Sequence, residues 1–262
     1  MKAMILGATG LLGKALVREW TGDEVIGLGS DAVDIRDAGG VREAVQKSLP
    51  EWIVLAAAYT DVDGCEAQAD LAFSVNRDGA VNVAQAAKQA GAKLLFLSSD
   101  YVFDGKKTSP YEVSDVRNPR SVYGRSKAEA EVRLLEVMPE VCIARTSWLF
   151  GIGGKCFPDT ILKLAASRPA VDVVSDQRGC PTYSVDLARA SISLCRAGAR
   201  GIVHVTNSGN CSWFEFAQEI VRRRTGRRGE AGQQRPNGPS SAASGIFGSV
   251  GNEPSALRHR NA

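Results

Sequence analysis

From Lys2 onward the chain alternates short, continuous apolar runs with longer stretches in which apolar positions recur at helical spacing. Continuous apolar runs suit strands buried on both faces, and their alternation with helical segments predicts repeated β-α units around a parallel sheet. Strands are expected over residues 3–6, 24–28, 52–56, 93–98 and 141–145, with helices over 11–20, 41–49, 70–90 and 121–137. Pro139 ends the last of these helices, because proline cannot continue one. Further on, the pattern predicts a helix over 157–166, a strand over 171–174, a helix over 184–197 and a strand over 202–206. Ser212 opens one more helix, with Glu215 three residues later completing a capping box before Phe216.

After about Arg224 this pattern breaks down. Of the residues from 226 to 262, 15 are Gly, Pro or Ser, and the large apolar ones are Ile246, Phe247, Val250 and Leu257. Such a segment buries too little to offset its ordering entropy, so a loosely ordered tail is expected over 225–262. The charge changes at the same place. The 262-residue chain carries a formal +3, but residues 222–262 hold eight Arg and two acids, which leaves 24 basic and 27 acidic residues in the body. A mildly acidic body excludes a surface built for nucleic acid or an anionic membrane. The five Arg between 222 and 228 read as a solvated helix end.

With 44% hydrophobic and 23% charged residues, the composition is that of a soluble globular protein. The longest apolar stretches, such as 52–59, are too short to span a bilayer, and the N-terminal apolar residues lead into a glycine turn instead of a cleavage site. A cytoplasmic location with no membrane partner is expected. The six cysteines (65, 142, 156, 180, 195 and 211) form no Cys-x-x-Cys pair and have two histidines for company, so free, mostly buried thiols and no metal are expected. His204, within an apolar strand, reads as a core residue.

The first strand runs into Gly7-Ala8-Thr9-Gly10-Leu11-Leu12-Gly13, a Gly-x-x-Gly-x-x-Gly turn that opens a helix. Glycines at this spacing make a tight turn, let the backbone approach a pyrophosphate and allow close helix-to-strand packing, while the helix N-terminus presents amide donors to the phosphates. In the first β-α unit this turn points to a dinucleotide and to a Rossmann-type, doubly wound α/β sheet. At the end of the second strand stand Leu28-Gly29-Ser30, with neither an acid to repel a ribose phosphate nor an Arg to attract one, so NADPH and NADH both remain open.

A second constellation is Tyr123-Gly124-Arg125-Ser126-Lys127, which puts a phenol and an ammonium on one helix face. A nearby cation would lower the pKa of Tyr123 and let it serve as a general acid in carbonyl reduction. Ser98-Ser99-Asp100 ends the fourth strand, where the carboxyl ends of parallel strands face the ligand crevice, and a Ser99 hydroxyl there can hold a substrate carbonyl beside the tyrosine.

The glycine turn, Ser99, Tyr123 and Lys127 together resemble the extended short-chain dehydrogenase/reductase superfamily. Four further strings narrow the resemblance to the dTDP-4-dehydrorhamnose reductase family: Ala56 to Asp63, Ser98 to Gly105, Arg145 to Gly151 and Asp176 to Thr182. The match runs in order over about residues 1–221. It implies that Gly7, Gly10, Leu11 and Leu12, with Gly13 of the same turn, hold the cofactor pyrophosphate. Asp34 and Ile35 would meet the adenine, and Ala57, Ala58 and Tyr59 the middle of the cofactor. Tyr123 and Lys127 would also grip the nicotinamide ribose. Thr60, Val62, Ser99, Asp100, Tyr101 and Trp148 would line a nucleotide-sugar site, although Trp148 at a strand end serves equally well as a packing aromatic.

The implied activity is NAD(P)H-dependent reduction of the C4 ketone of dTDP-4-dehydro-L-rhamnose, by a chain that is free to form a homodimer. Residues 1–147 would be the cofactor domain, 148–224 a smaller substrate-binding region and 225–262 the tail. Ser99 stands where the family usually has Thr, and Cys156 where it has Asn. After about Arg223 the chain departs from the family pattern, as a shifted reading frame or a truncation would make it do; Arg235-Pro236 faintly echoes a family motif. Two other functions fit parts of the pattern: a sugar-nucleotide epimerase or dehydratase, and a non-catalytic cofactor-binding regulatory subunit. Tyr101 after Asp100 disfavours dehydration, which usually takes an Asp-Glu pair.

Overall fold

The apolar runs become the strands of one parallel sheet because nothing in them could face water on either side. The computed structural model describes residues 1–225 and 234–235. In chain order, β1 (Lys2–Leu6), α1 (Leu11–Glu19), β2 (Glu24–Leu28), α2 (Ala38–Ser48) and β3 (Trp52–Leu55) alternate as the pattern predicts. Then come α3 (Val62–Ala67) and α4 (Ala69–Phe73), which passes through a π-helical stretch at Ser74–Asp78 into α5 (Gly79–Ala90). Strand β4 (Lys93–Ser99) leads through a single 3-10 turn at Asp100–Val102 to α6 (Val122–Val137) and β5 (Cys142–Thr146).

The later part is built from shorter pieces: β6 (Leu149–Phe150), α7 (Phe157–Ser167), β7 (Val173–Val174), β8 (Arg178–Gly179) and β9 (Thr182–Tyr183). These are followed by α8 (Ser184–Arg196), β10 (Gly201–His204), β11 (Cys211–Ser212), α9 (Trp213–Thr225) and β12 (Gln234–Arg235).

The main sheet has the strand order β10-β5-β4-β3-β1-β2, with every pairing parallel. The order in which strands are added changes sides between β1 and β3, so the crevice outside their carboxyl ends is the expected ligand position. Successive residues of each strand supply opposite layers. Met4, Leu6, Ile53, Leu55, Leu94 and Phe96 pack with Val83, Ala84 and Leu134 of α5 and α6. Ala3, Ile5, Val54, Leu95 and Leu97 pack with Leu12 and Leu16 of α1 and Leu187 and Ile192 of α8. Each fully buried leucine contributes about 1.5–3 kcal/mol. A third apolar cluster, Ile161, Val173 and Ala217 with Trp213, holds α7, β7 and α9 together.

The expected helix over 70–90 is helical throughout, but its middle widens into the π stretch, which a 3.6-residue period cannot register. Helix α3 and the two-residue strands other than β7 were outside the prediction, because such short elements carry no period. The strand expected over 171–174 shrinks to β7. The capping box at Ser212 forms reciprocally: Glu215 N donates to Ser212 Oγ at 3.0 Å and Ser212 N to Glu215 Oε2 at 2.7 Å. All six cysteines are free thiols and four of them are buried. Within the expected tail, Thr225 closes α9 and Gln234–Arg235 pair in parallel with β7. The rest of that expectation lies outside the described residues.

Candidate active site

The glycine turn lies at the carboxyl end of β1, pressed against the end of β3. Gly7 has φ +91°, and a Cβ there would lie 2.5 Å from Ala57 N. A Cβ on Gly13 would lie 2.0 Å from the Gly7 carbonyl oxygen, so α1 can approach the turn only with glycine at that position. Gly10 is the N-cap of α1 and its side of the helix has no capping side chain. The amides of a helix's first turn have no acceptor within the helix; with no side chain capping them and Thr9 and Gly10 exposed, the cradle fits a dinucleotide pyrophosphate. Leu11 is half-buried and Leu12 is buried beneath it.

Beside the turn, Ala8, Thr9, Lys14, Arg18, Gly27 and Gly29 line a hollow of about 380 Å³. Two cations therefore reach the end of β2 from α1, which the string Leu28-Gly29-Ser30 did not reveal. Lys14 Nζ donates to Gly153 O at 2.7 Å and Arg18 Nε to Glu19 at 2.9 Å. On the other side, Ile35 is buried against Gly79, whose Cβ would meet Ile35 at 2.8 Å. The Asp34 carboxylate is held by Arg36, whose Nη2 lies 2.5 Å from Asp34 Oδ2.

Ala57, Ala58 and Tyr59 leave β3 as a half-buried loop. A buried asparagine of the π stretch clamps this loop: Tyr59 N donates to Asn76 Oδ1 at 2.8 Å, and Asn76 Nδ2 donates to Tyr59 O at 3.0 Å. The same Nδ2 is 3.0 Å from Ser126 Oγ, which in turn donates to Tyr123 O at 2.7 Å. Asn76 thus fixes the β3 loop relative to α6, the helix that carries the phenol. Sequence reasoning missed it, because an asparagine inside a helical pattern reads as surface.

Helix α6 is started by Ser121, whose Oγ accepts from Gly124 N at 3.0 Å, and by Glu66 of α3, which accepts from Val122 N at 2.7 Å. A Cβ on Gly124 would lie 2.3 Å from Tyr101 O. That missing side chain lets α6 lie against the 3-10 turn and brings the Tyr123 phenol near enough for the Ser99 hydroxyl to act on it. Tyr101 meets Tyr123 edge-on, with ring centroids 5.4 Å apart. One turn along, Lys127 is 2% exposed and its ammonium lies 4.1 Å from the centre of the Phe96 ring of β4. Ser99, Tyr123 and Lys127 are therefore gathered around the carboxyl end of β4. Asp100 is buried next to them, Thr60 is exposed and Val62 half-buried at the start of α3.

The electrostatics correct one expectation. Burial pushes the Tyr123 phenol above its usual range, with the Ser99 hydrogen bond acting the other way and Asp100 adding to the rise. Burial also pushes Lys127 down to about 7, which the Glu131 carboxylate partly opposes. The spacing predicted a cation that lowers the phenol, but both groups share a dry site, and desolvation disfavours the charged form of each.

Trp148 is 7% exposed and has φ +45°, in the left-handed region. Its indole stacks on Trp213 with centroids 3.5 Å apart, and a Cβ on Gly179 would lie 2.3 Å from it. Both are packing contacts. Cys156 is the N-cap residue of α7 without a side-chain cap; its Sγ contacts Asp159 Oδ2 at 3.3 Å. No helix among the described residues is long and apolar enough to cross a membrane.

The family model for the RmlD substrate binding domain matches residues 1–243. The spore coat polysaccharide biosynthesis protein SpsK of Bacillus subtilis is 42% identical over 222 residues, 84% of this chain and 78% of that protein. A dTDP-4-dehydrorhamnose reductase of Streptomyces griseus is 40% identical over 227 residues, 84% of this chain and 75% of that protein. Among solved structures, dTDP-4-dehydrorhamnose reductase from Bacillus anthracis in complex with NADP superposes with a TM-score of 0.90 at 35% identity, covering 95% of this chain and 91% of that one.

Proposed function

Because this chain belongs to the RmlD substrate-binding-domain family, which takes in dTDP-4-dehydrorhamnose reductases, we propose that it reduces the C4 ketone of dTDP-4-dehydro-L-rhamnose. The product is dTDP-L-rhamnose, a nucleotide sugar for surface polysaccharide, and the cofactor is NADPH or NADH. The observation that carries this reading is the gathering of Ser99, Tyr123 and Lys127 at the end of β4. The glycine cradle at Gly7, Gly10 and Gly13 lies on the same edge of the sheet.

When bound, the reduced nicotinamide supplies a hydride to C4. The protein does the rest. The Gly7 to Gly13 turn, with Leu11 and Leu12 at the helix start, holds the pyrophosphate, Asp34 and Ile35 flank the adenine, and Ala57, Ala58 and Tyr59 support the middle of the dinucleotide. Tyr123 gives its phenolic proton to the ketone oxygen as that atom becomes an alkoxide. A phenol with a raised pKa keeps its proton until that charge develops. Lys127 grips the ribose and, once protonated against it, stabilises the charge left on Tyr123, while Ser99 holds the carbonyl oxygen in line. Thr60, Val62, Asp100, Tyr101 and Trp148 line the nucleotide-sugar side. We read residues 1–147 as the cofactor part and 148–224 as the substrate part of one cytoplasmic enzyme.

The test is to mix the protein with NADPH and dTDP-4-dehydro-L-rhamnose, and with other dTDP-4-keto sugars, and to follow loss of the nicotinamide absorbance. Turnover is expected, fastest with the rhamnose precursor. Cofactor binding without turnover of any of these sugars would overturn the proposal.

A further inference from the structure

Ser99 has one hydrogen to donate and two lone pairs to fill. Tyr101 N donates to its Oγ at 3.3 Å, and Oγ is 2.9 Å from Asp100 Oδ1. If Asp100 is a carboxylate, it takes the Ser99 hydrogen. Ser99 then has no hydrogen left for a ketone. If Asp100 is a neutral acid, it donates to Ser99 and fills the second lone pair. The Ser99 hydrogen is then free to point at the ketone oxygen, beside the proton that Tyr123 delivers. Only the second arrangement lets Ser99 hold the carbonyl oxygen as described above.

We propose that Asp100 works as a neutral carboxylic acid, a positioning residue that donates to Ser99 and so turns the Ser99 hydroxyl toward the ketone. The proposal rests on the reductase reading of this site and deepens it. Its surroundings favour the neutral form. Asp100 is 1% exposed, its Oδ2 has no hydrogen-bond partner among the described residues, and no lysine or arginine bonds to it. A buried carboxylate with an orphaned oxygen and no cation is costly, whereas the acid loses far less.

The ionisable groups around it do not repay that cost. Tyr101 beside it and Tyr123 from α6 are phenols and bring no positive charge. Asp63 and Cys65 of α3, which act on those phenols, supply no positive charge. Lys127 of α6 directs its ammonium at Phe96 and answers to Glu131. Burial, against the Ser99 hydrogen bond and two backbone amides, lifts the carboxyl to about 7.

Two measurements on the full chain test this. Infrared difference spectra of the protein without substrate, wild type minus Asp100→Asn, are expected to show a protonated-carboxyl band that titrates near pH 7. A wild-type spectrum in which no such band belongs to Asp100 overturns the proposal, whatever the enzyme turns over, so its failure is separate from failure of the reductase reading. With substrate, Asp100→Ala should lose about 100-fold in kcat, the cost of misdirecting one donor. Asp100→Asn, whose amide still donates to Ser99, should recover at least about tenfold of that loss. Its kcat/KM should no longer fall as pH rises through the Asp100 transition. Equal loss in the two variants, or an unchanged pH limb in Asp100→Asn, overturns it.

Discussion

The Glu131 carboxylate on α6 is gripped by Arg145 on β5, with Nε at 2.9 Å from Oε1 and Nη2 at 2.6 Å from Oε2. Ser98 Oγ at 2.6 Å and Arg117 Nη1 at 3.1 Å complete its four acceptor positions. Burial works to raise this carboxyl, but Arg145 and its other donors win and hold it below the usual range. The pair ties the helix carrying Tyr123 and Lys127 to the two strands whose ends form the site. Arg145→Met should therefore cost about 3–5 kcal/mol in urea unfolding, because it strands a buried charge. Pairing it with Glu131→Leu should recover most of that loss. A single variant as stable as the wild type would show that the pair is not what holds α6.

Asn76 bonds both backbone groups of Tyr59 and reaches Ser126. Asn76→Ala should lower stability by about 1–3 kcal/mol for each backbone group left dry. Ser126→Ala removes one of these partners and should cost less. The same order is expected in kcat, since the clamp sets the β3 loop against α6. Equal effects in the two variants would contradict this.

Gly13 and Gly10 provide a paired test of the cradle. A Cβ at Gly13 would lie 2.0 Å from Gly7 O, while one at Gly10 would lie 3.3 Å from the same atom. Gly13→Ala must push α1 away from the turn, whereas Gly10→Ala asks for a shift of a few tenths of an ångström. Fluorescence titration with NADPH should show about a tenfold or larger weakening for Gly13→Ala relative to Gly10→Ala, about 1.4 kcal/mol. Equal affinities would remove the turn from cofactor binding.

Tyr123→Phe should reduce kcat by about 100- to 10,000-fold, the usual worth of a placed proton donor. The affinity for NADPH should change much less, because the ring and its packing on Tyr101 remain. Turnover that survives this change would sink the assignment of the phenol.

His204 makes acid stability measurable. Burial first, and then the Arg145 charge, push its imidazole down to about 4. An unfolded chain protonates this group near the ordinary imidazole value of 6.5, so between those two pH values the unfolded state binds more protons. Stability present above 6.5 is thus lost as pH falls toward 4, by up to about 3 kcal/mol. His204→Gln should flatten that part of the profile in urea titrations from pH 7.5 to pH 4.5. Identical slopes would mean that another group carries the loss.

The strands of the main sheet were legible because parallel strands need continuous apolar runs, and Ile53, Val54, Leu94 and Leu95 have no polar alternate to confuse the period. The glycine turn was legible for a similar reason, since no other residue fits between Gly7 and Ala57. Asn76 and Gly124 were not legible as site residues. Their importance lies in what they touch, Tyr59 and Tyr101, which are 17 and 23 positions away in the chain. Trp148 was readable only as an aromatic at a strand end; stacking on Trp213 depends on how β6 and α9 come together.

By itself, then, the sequence determined the order of strands and helices, the dinucleotide turn and the residues able to do chemistry, because local period and residue type set those directly. Only the tertiary structure decided their ionisation and hydrogen-bond direction. Whether Tyr123, Lys127 and Asp100 carry charge depends on how completely water is excluded when α6 closes on β4, and desolvation belongs to the packed site, not to the spacing of residues along a chain.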